Sequence, residues 1–373
     1  MIPLSEPFLT ELDQQYVQEC VASGWVSSAG PWVTRFEEAL AKYTGARHVV
    51  ALGSGTSALH LALLIAGVKP GELVIMPDLT FVASANAVRY CGADPWLVDI
   101  DPNHWQMDVG LATRELPQLI QKKDGGWHEK TSGRRIAAIL LVHVLGYGAH
   151  LDEWKRFAAS LGIPLIEDAA EALGSRYKGR HLGTFGEMGC LSFNGNKVMT
   201  TGGGGALLTD DETIARKARH LSTQARTDAF TYQHDEIGYN YRLSGMSAAL
   251  GLSQLEQLPH FLAKKAEIMA RYQKVLGTAF RFPDVDAACV PNHWLCTART
   301  PDRDGLAEKL LKCEIQTRAL WTPMHMLPMY AETSFLTEEI HSTSLFKEAL
   351  SLPSSVSLTE EGQEQVIRGL RGK

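Results

Sequence analysis

Short, wholly apolar runs alternate along most of this chain with longer stretches whose apolar residues recur every three to four positions. HVVAL from His48, ELVIMP from Glu72, DPWLVDID from Asp94, IAAILLV from Ile136 and IPLIED from Ile163 read as buried strands. Amphipathic helices are predicted over Leu12–Ser23, stopping at Gly24, over Val33–Tyr43, stopping at Gly45, and over Asp152–Ser160. A long helix is expected from about Ser247 to Val275. Strand and helix in alternation predict an α/β fold, a mostly parallel sheet with helices on both faces. Pro117 to Arg135 is polar and reads as a surface excursion. Beyond the long helix come a strand-like HWLCTART, a helix over Asp304–Cys313, the loop TRALWTPMHMLPMY and a last helix near Glu360–Leu370. The expected division is a large α/β domain over 1–250 and a small α+β domain over 251–373.

Composition narrows the function classes. A chain of 373 residues, 45% of them apolar, can bury a sizeable core, and a net charge of −6 argues against a protein that lives on nucleic acid. The six cysteines are scattered with no CxxC pair, so neither a disulfide framework nor a zinc site is expected. The N-terminal residues lack the basic and apolar regions of a secretion signal, and the longest apolar run, Ile136–Val142, is too short to cross a bilayer. A cytoplasmic protein without a membrane partner is the expectation.

Candidate chemistry concentrates in GCLSFNGNKVMTTGGGG, residues 189–205, where one lysine stands between an apolar run and four glycines. Lys197 can act as a covalent amine catalyst if the fold holds it fixed and partly dry; a solvated loop lysine is the ordinary alternative. Gly53, Gly55 and Ala58 follow a strand and open an apolar helix, the layout of a phosphate cradle, since amides at a helix N-terminus are free and the dipole is positive there. With Asp78 downstream, the same residues match a dinucleotide fingerprint, so a nicotinamide-dependent dehydrogenase is a rival reading. Phe81 stands past a strand end, where a flat ring can stack on a flat ligand. Asp168 and Glu171 follow an apolar strand directly, and His143 ends another; a carboxylate there needs a cationic or hydrogen-bonding partner.

Taken together, these residues resemble the fold-type I pyridoxal-phosphate enzymes, and among them the DegT/DnrJ/StrS-type sugar aminotransferases. The resemblance runs over nearly the whole chain and is carried by GWVSSAG, GSGTSALHLAL, PDLTFVASANAV, EDAAEALGS, GTFGEMGCLSFNGNK, TTGGGG and HDEIGYNYRLS. SFNGNK with TTGGGG, LSTQAR, TSGRR, NHWL and PMHMLPMY look most like the subgroup that aminates C4 of a nucleotide-linked 4-keto-6-deoxy-N-acetylhexosamine on routes to legionaminic acid. Perosamine-forming C4 aminotransferases share GWVSS and EDAAEA and are the nearest alternative.

The resemblance implies a seven-stranded main sheet, pyridoxal 5′-phosphate as cofactor, L-glutamate as amino donor, a UDP-linked keto sugar as acceptor, and a homodimer with shared sites. It implies that Lys197 is the Schiff-base lysine and that Asp168 pairs with the pyridine nitrogen. Gly55, Thr56 and Ser192 are expected to hold the phosphate, Phe81 to stack on the ring, and Asn240 to reach the phosphate from the other subunit. Glu171 falls near the cofactor's phenolic oxygen, where many relatives carry glutamine or histidine. Trp25, Ser27, Ser28 and His325 match substrate-side loops, and His143 a strand end near the cofactor. Lys197 argues against the family's dehydratases, which carry histidine there, and Lys197 with Asp168 against a non-catalytic relative.

Overall fold

The computed structural model describes residues 1–228 and 230–371. Eleven helices are present among them: α1 (Glu11–Ser23), α2 (Pro31–Thr44), α3 (Gly55–Ile65), α4 (Ala83–Tyr90), α5 (Val109–Leu119), α6 (Leu151–Leu161), α7 (Glu212–Ser222), α8 (Gly245–Leu276), α9 (Arg303–Lys312), α10 (His341–Glu348) and α11 (Glu360–Arg371). Gly24 and Gly45 take left-handed conformations (φ 76° and 81°) directly after α1 and α2, which an L side chain there would resist.

The main sheet is built from β1 (His48–Leu52), β2 (Leu73–Pro77), β3 (Asp94–Val98), β4 (Ile136–Val142), β5 (Leu165–Asp168), β6 (Met188–Ser192) and β7 (Gly205–Thr209). The C-terminal region adds β8 (Cys296–Arg299), β9 (Arg318–Ala319), β10 (Phe335–Leu336) and β11 (Ala349–Leu352). The sheet runs β1-β7-β6-β5-β4-β2-β3-β10, antiparallel on both sides of β7 and parallel elsewhere. It therefore has eight strands where seven were expected. The extra strand, Phe335–Leu336, is only two residues long and cannot show the alternation by which a strand is read from sequence. It pairs with Leu97 and Val98, so the C-terminal region contributes to the large sheet. Ile2, conversely, bridges to Ile315 at the other end of the chain. Pro117–Arg135 carries the end of α5 and a small hairpin, Ile120–Lys123 paired with Gly126–Glu129.

The strands are apolar throughout because both faces of the sheet are covered. Val49, Ala51, Ile75 and Val98 face one core with Phe36 and Leu40 of α2, while Val50, Leu52, Val74 and Leu97 face the other with Leu59 and Leu63 of α3. A third core joins Ile268 and Tyr272 of α8 to Cys296, Leu350 and Val366, under the sheet β8-β11-β9. Among the described residues no helix is long and apolar enough to cross a membrane.

What the sheet positions is its carboxyl edge. Val142 of β4 pairs with Asp168 of β5, and Asp168 with Cys190 of β6, so Asp168 lies in mid-sheet beside the loop that leaves β6.

Candidate active site

Asp168 is buried at the last position of β5, where Ser84 Oγ donates to its Oδ2 (2.6 Å) and the Ala170 amide to its Oδ1 (3.1 Å). Burial pushes this carboxyl up from its ordinary range, against the pull of those two donors and of nearby Lys197. The loop after β6 is closed by its own backbone, Phe193 donating to Gly204 and Thr201 to Phe193, both at 2.9 Å. Within it, Lys197 is anchored by its amide on the Asn194 carbonyl (2.9 Å). Its side chain is 13% exposed, with Nζ 3.4 Å from Glu171 Oε1 and 3.9 Å from the centre of the Trp294 ring. Burial lifts the Glu171 carboxyl to about 7, offset in part by Lys197 and by the Leu145 amide on Oε2 (2.8 Å). The lysine demanded by covalent amine chemistry is thus held in place, largely dry and next to an acid of near-neutral midpoint.

The N-terminus of α3 borders the same cavity, about 240 Å³ in volume. Ser54 caps it by accepting from the Ser57 amide (3.0 Å), while Gly55 and Thr56 border the cavity with first-turn amides that have no partner within the helix. Ser192 borders it from β6, packed so near that a Cβ on Gly55 would stand 2.8 Å from the serine's own. Phe81, half exposed, contributes a ring, and Trp321 meets it edge-on at 6.4 Å. An anion cradle, a flat ring, a buried carboxylate and a fixed lysine around one cavity form a donor set that fits a phosphorylated, cationic aromatic aldehyde. Pyridoxal 5′-phosphate is such a molecule.

Residues 7–371 match the family model described as the DegT/DnrJ/EryC1/StrS aminotransferase family. The chain belongs to that family. It is 40% identical over 378 residues (99% of this chain, 95% of the relative) to EpsN of Bacillus subtilis (strain 168), assigned as a pyridoxal phosphate-dependent aminotransferase. It is 37% identical over 363 residues (96% and 95%) to a GDP-perosamine synthase of Escherichia coli O157:H7. The crystal structure of a DegT DnrJ EryC1 StrS aminotransferase from Brucella abortus superposes with a TM-score of 0.90 at 29% identity, covering 97% of this chain and 95% of that one. The protein is a pyridoxal phosphate-dependent sugar aminotransferase, with the α/β architecture expected of the family.

Membership in the DegT/DnrJ/EryC1/StrS family replaces the nicotinamide reading, and the structure gives Asp78 a different task. It is fully buried and accepts from the His325 amide (2.9 Å) and Ser342 Oγ (2.6 Å), with His325 Nδ1 at 2.7 Å. Lys197, Asp168, Glu171, Gly55, Thr56, Ser192 and Phe81 share the cavity. His143 and His325 do not border it. His143, 2% exposed, has Nε2 2.8 Å from Glu167 Oε2, turned into the core, whereas His325 lies on Asp78 and stacks on Phe335 (4.7 Å between ring centres). In each histidine one ring nitrogen is held by a buried carboxylate. Trp25, Ser27, Ser28 and Asn240 are exposed and outside the cavity; the Ser27 carbonyl accepts from Gly245 at the start of α8 (2.7 Å), and Asn240 bridges to Thr223.

Among the cavity residues that the sequence reading did not single out are Ser84, Trp294, Arg318 and Trp321. Ser84 sits in a helix like any small residue, Trp294 precedes a strand, and Arg318 and Trp321 lie in a stretch without periodicity. For Arg318 and Trp321 the one signal was the pairing of a Trp with an Arg in TRALWTP.

Proposed function

We propose that this sugar aminotransferase moves the amino group of L-glutamate to C4 of a nucleotide-linked 4-keto-6-deoxy sugar, working in the cytoplasm as a homodimer. The observation that carries the chemistry is the placement of Lys197, Asp168 and Glu171 around one small cavity that the α3 N-terminus also borders. For the sugar, the legionaminic-type resemblance rests on short motifs, whereas a GDP-perosamine synthase matches at 37% over nearly the full length of both chains. A GDP-linked ketone is therefore the leading acceptor, and a UDP-linked N-acetylhexosamine ketone the second.

Bound pyridoxal phosphate supplies an electron-poor ring that delocalises the charge left when a carbon next to an amine loses its proton. Asp168, fixed by Ser84 and the Ala170 amide, would hold a proton on the ring nitrogen. Gly55, Thr56 and Ser192 would hold the phosphate, and Phe81 would stack on the ring. Lys197 would carry the cofactor, then, once displaced by the donor, take a proton from the donor α-carbon; in the second half-reaction it would deliver one to C4 of the sugar. Glu171 would keep the freed amine close. Asn240, Trp25, Ser27 and Ser28, all exposed outside the cavity of their own chain, would meet the partner's phosphate and the sugar nucleotide across the dimer interface.

The test is incubation of the cofactor-loaded protein with L-glutamate and each 4-keto sugar nucleotide in turn, with products weighed by mass spectrometry. Amination of the GDP-linked ketone supports the leading reading, amination of the UDP-linked ketone alone supports the second, and no amination of either overturns both. Lys197→Ala should abolish turnover and the borohydride-fixed attachment of cofactor, and normal turnover by this variant would remove Lys197 from the role.

A further inference from the structure

The amine of Lys197 touches two residues that stand more than a hundred positions apart in the chain, Glu171 through Oε1 (3.4 Å) and Trp294 through the face of its ring (3.9 Å to the centre). One side chain holds the backbone of both. Asn292, buried just before β8, donates from Nδ2 to the carbonyls of Glu171 (2.7 Å) and Leu173 (2.9 Å) and accepts the Trp294 amide on Oδ1 (3.0 Å). Both amide protons and the amide oxygen are therefore in use. The Asn292 backbone is fixed as well, its own amide donating to Ser175 Oγ (2.9 Å), which in turn donates to the Gly146 carbonyl (2.6 Å). The turn after β4 is shaped around this knot. Gly146 has a left-handed φ of 82°, and a Cβ there would overlap Asn292 Oδ1 and the Glu171 carbonyl. The preceding amide, that of Leu145, holds Glu171 Oε2 (2.8 Å). On the other arm, the Trp294 ring is pinned through Nε1 to the carbonyl of Asn196, the residue before Lys197 (2.6 Å).

We propose that Asn292 is a positioning residue for the amine of Lys197, acting through Glu171 and Trp294, the carboxylate and the aromatic face that the amine touches. This rests on the reading of Lys197 as the covalent lysine. A lysine amine ends a flexible four-carbon stem, so its place is set by what surrounds its tip. Here the tip is met by an acid and by the electron-rich face of an indole, both of which favour a cation. Neither contact is fixed by the loop that carries Lys197 alone. Each depends on a neighbour whose main chain is tied to Asn292, so one buried amide sets both at once, and its loss leaves two carbonyls and one amide proton without their partner in a dry site.

The experiment compares wild type, Asn292→Ala, Trp294→Leu and the double variant as full chains freed of cofactor. The rate at which pyridoxal 5′-phosphate becomes fixed to Lys197 is read by quenching with borohydride and weighing the peptide that carries it. Affinity for pyridoxamine 5′-phosphate, which has no aldehyde to react, reports the rest of the site, and thermal unfolding reports the fold. Asn292→Ala should slow attachment at least about tenfold, the order expected for displacing a reacting group by a fraction of an ångström, and leave affinity for pyridoxamine 5′-phosphate within about threefold. Trp294→Leu should slow attachment too, and the double variant should fall short of the product of the two single effects, because both changes remove the same support. Attachment by Asn292→Ala at the wild-type rate would overturn the proposal. So would fully multiplicative effects in the double variant, or equal losses of attachment and of pyridoxamine 5′-phosphate affinity, the pattern of a merely structural residue. Where the alanine variant does not fold, Asn292→Asp, which keeps the volume and the acceptor for the Trp294 amide, takes its place with the same expectation. A wild type that binds cofactor without fixing it to Lys197 would defeat the reading of Lys197 itself, a result distinct from a wild type that fixes it at a rate the Asn292 variants match.

Discussion

Glu167 and Asp168 are consecutive acids on one buried strand, and their surroundings differ in a way that separates structure from chemistry. Successive side chains of a strand point to opposite faces, so the two carboxylates meet different neighbours. Glu167 is saturated: the amides of Gly183 (2.8 Å), Phe185 (2.5 Å) and Gly186 (2.6 Å) donate to it, and His143 Nε2 stands at 2.8 Å. Burial pushes its carboxyl up, but His143 and those amides outweigh burial and hold it below the usual range. Asp168 has two donors and a cavity in front of it, and burial wins. A carboxylate whose lone pairs are all used is part of the framework; one left short of partners at a cavity is waiting for a cation.

The largest effect that sharpens this contrast is expected at Asp168. Asp168→Asn should cut turnover by roughly a hundred- to a thousandfold, the size seen when one preorganised contact to the reacting group is lost. The fold should survive. Because the folded carboxyl is raised, its contribution to stability is greatest at low pH and is lost as pH rises through its folded midpoint. The cofactor-free Asn variant should therefore unfold at a temperature equal to or above wild type at pH 8, and a large drop in melting temperature would break the comparison.

Glu167→Gln should do the reverse, costing about 3–5 kcal/mol in denaturant unfolding because an amide nitrogen would face backbone donors in a dry site. His143→Leu should cost less, about 1–3 kcal/mol, by leaving Glu167 one partner short, and it should keep cofactor affinity near wild type. A selective loss of cofactor binding in His143→Leu, with stability intact, would return that histidine to the site.

The smallest effect is expected at Asp78, a second saturated carboxylate. Its hydrogen bond to His325 holds that imidazole above its ordinary range. A raised histidine stabilises the fold fully below about pH 6.5, its unfolded value, and that stability fades as pH rises through the folded midpoint. His325→Gln should flatten the fall in melting temperature between pH 6 and pH 8 by a degree or two, and an unaltered slope would show that this pair does not titrate in that window.

The parts of this protein that local pattern encodes were legible in its sequence. The apolar strands, the helices ending at Gly24 and Gly45, the glycine turn into α3, and Lys197 amid glycines all follow from periodicity and backbone freedom acting within a few residues. Asp168 and Glu171 could be named because one ends an apolar strand and the other follows it closely, where an acid needs a partner. What folding alone decided lies between distant segments. Whether His143 faces the cavity or Glu167, and whether Asp78 meets a ligand or His325, depends on which buried acid lies across the fold, and nothing near either histidine in the chain records it. The same holds for Trp294, Arg318 and Trp321, which the C-terminal region brings to the cavity that Lys197 lines. Sequence fixes local conformation because its energies are local, while a site assembled across more than a hundred residues is set by tertiary packing.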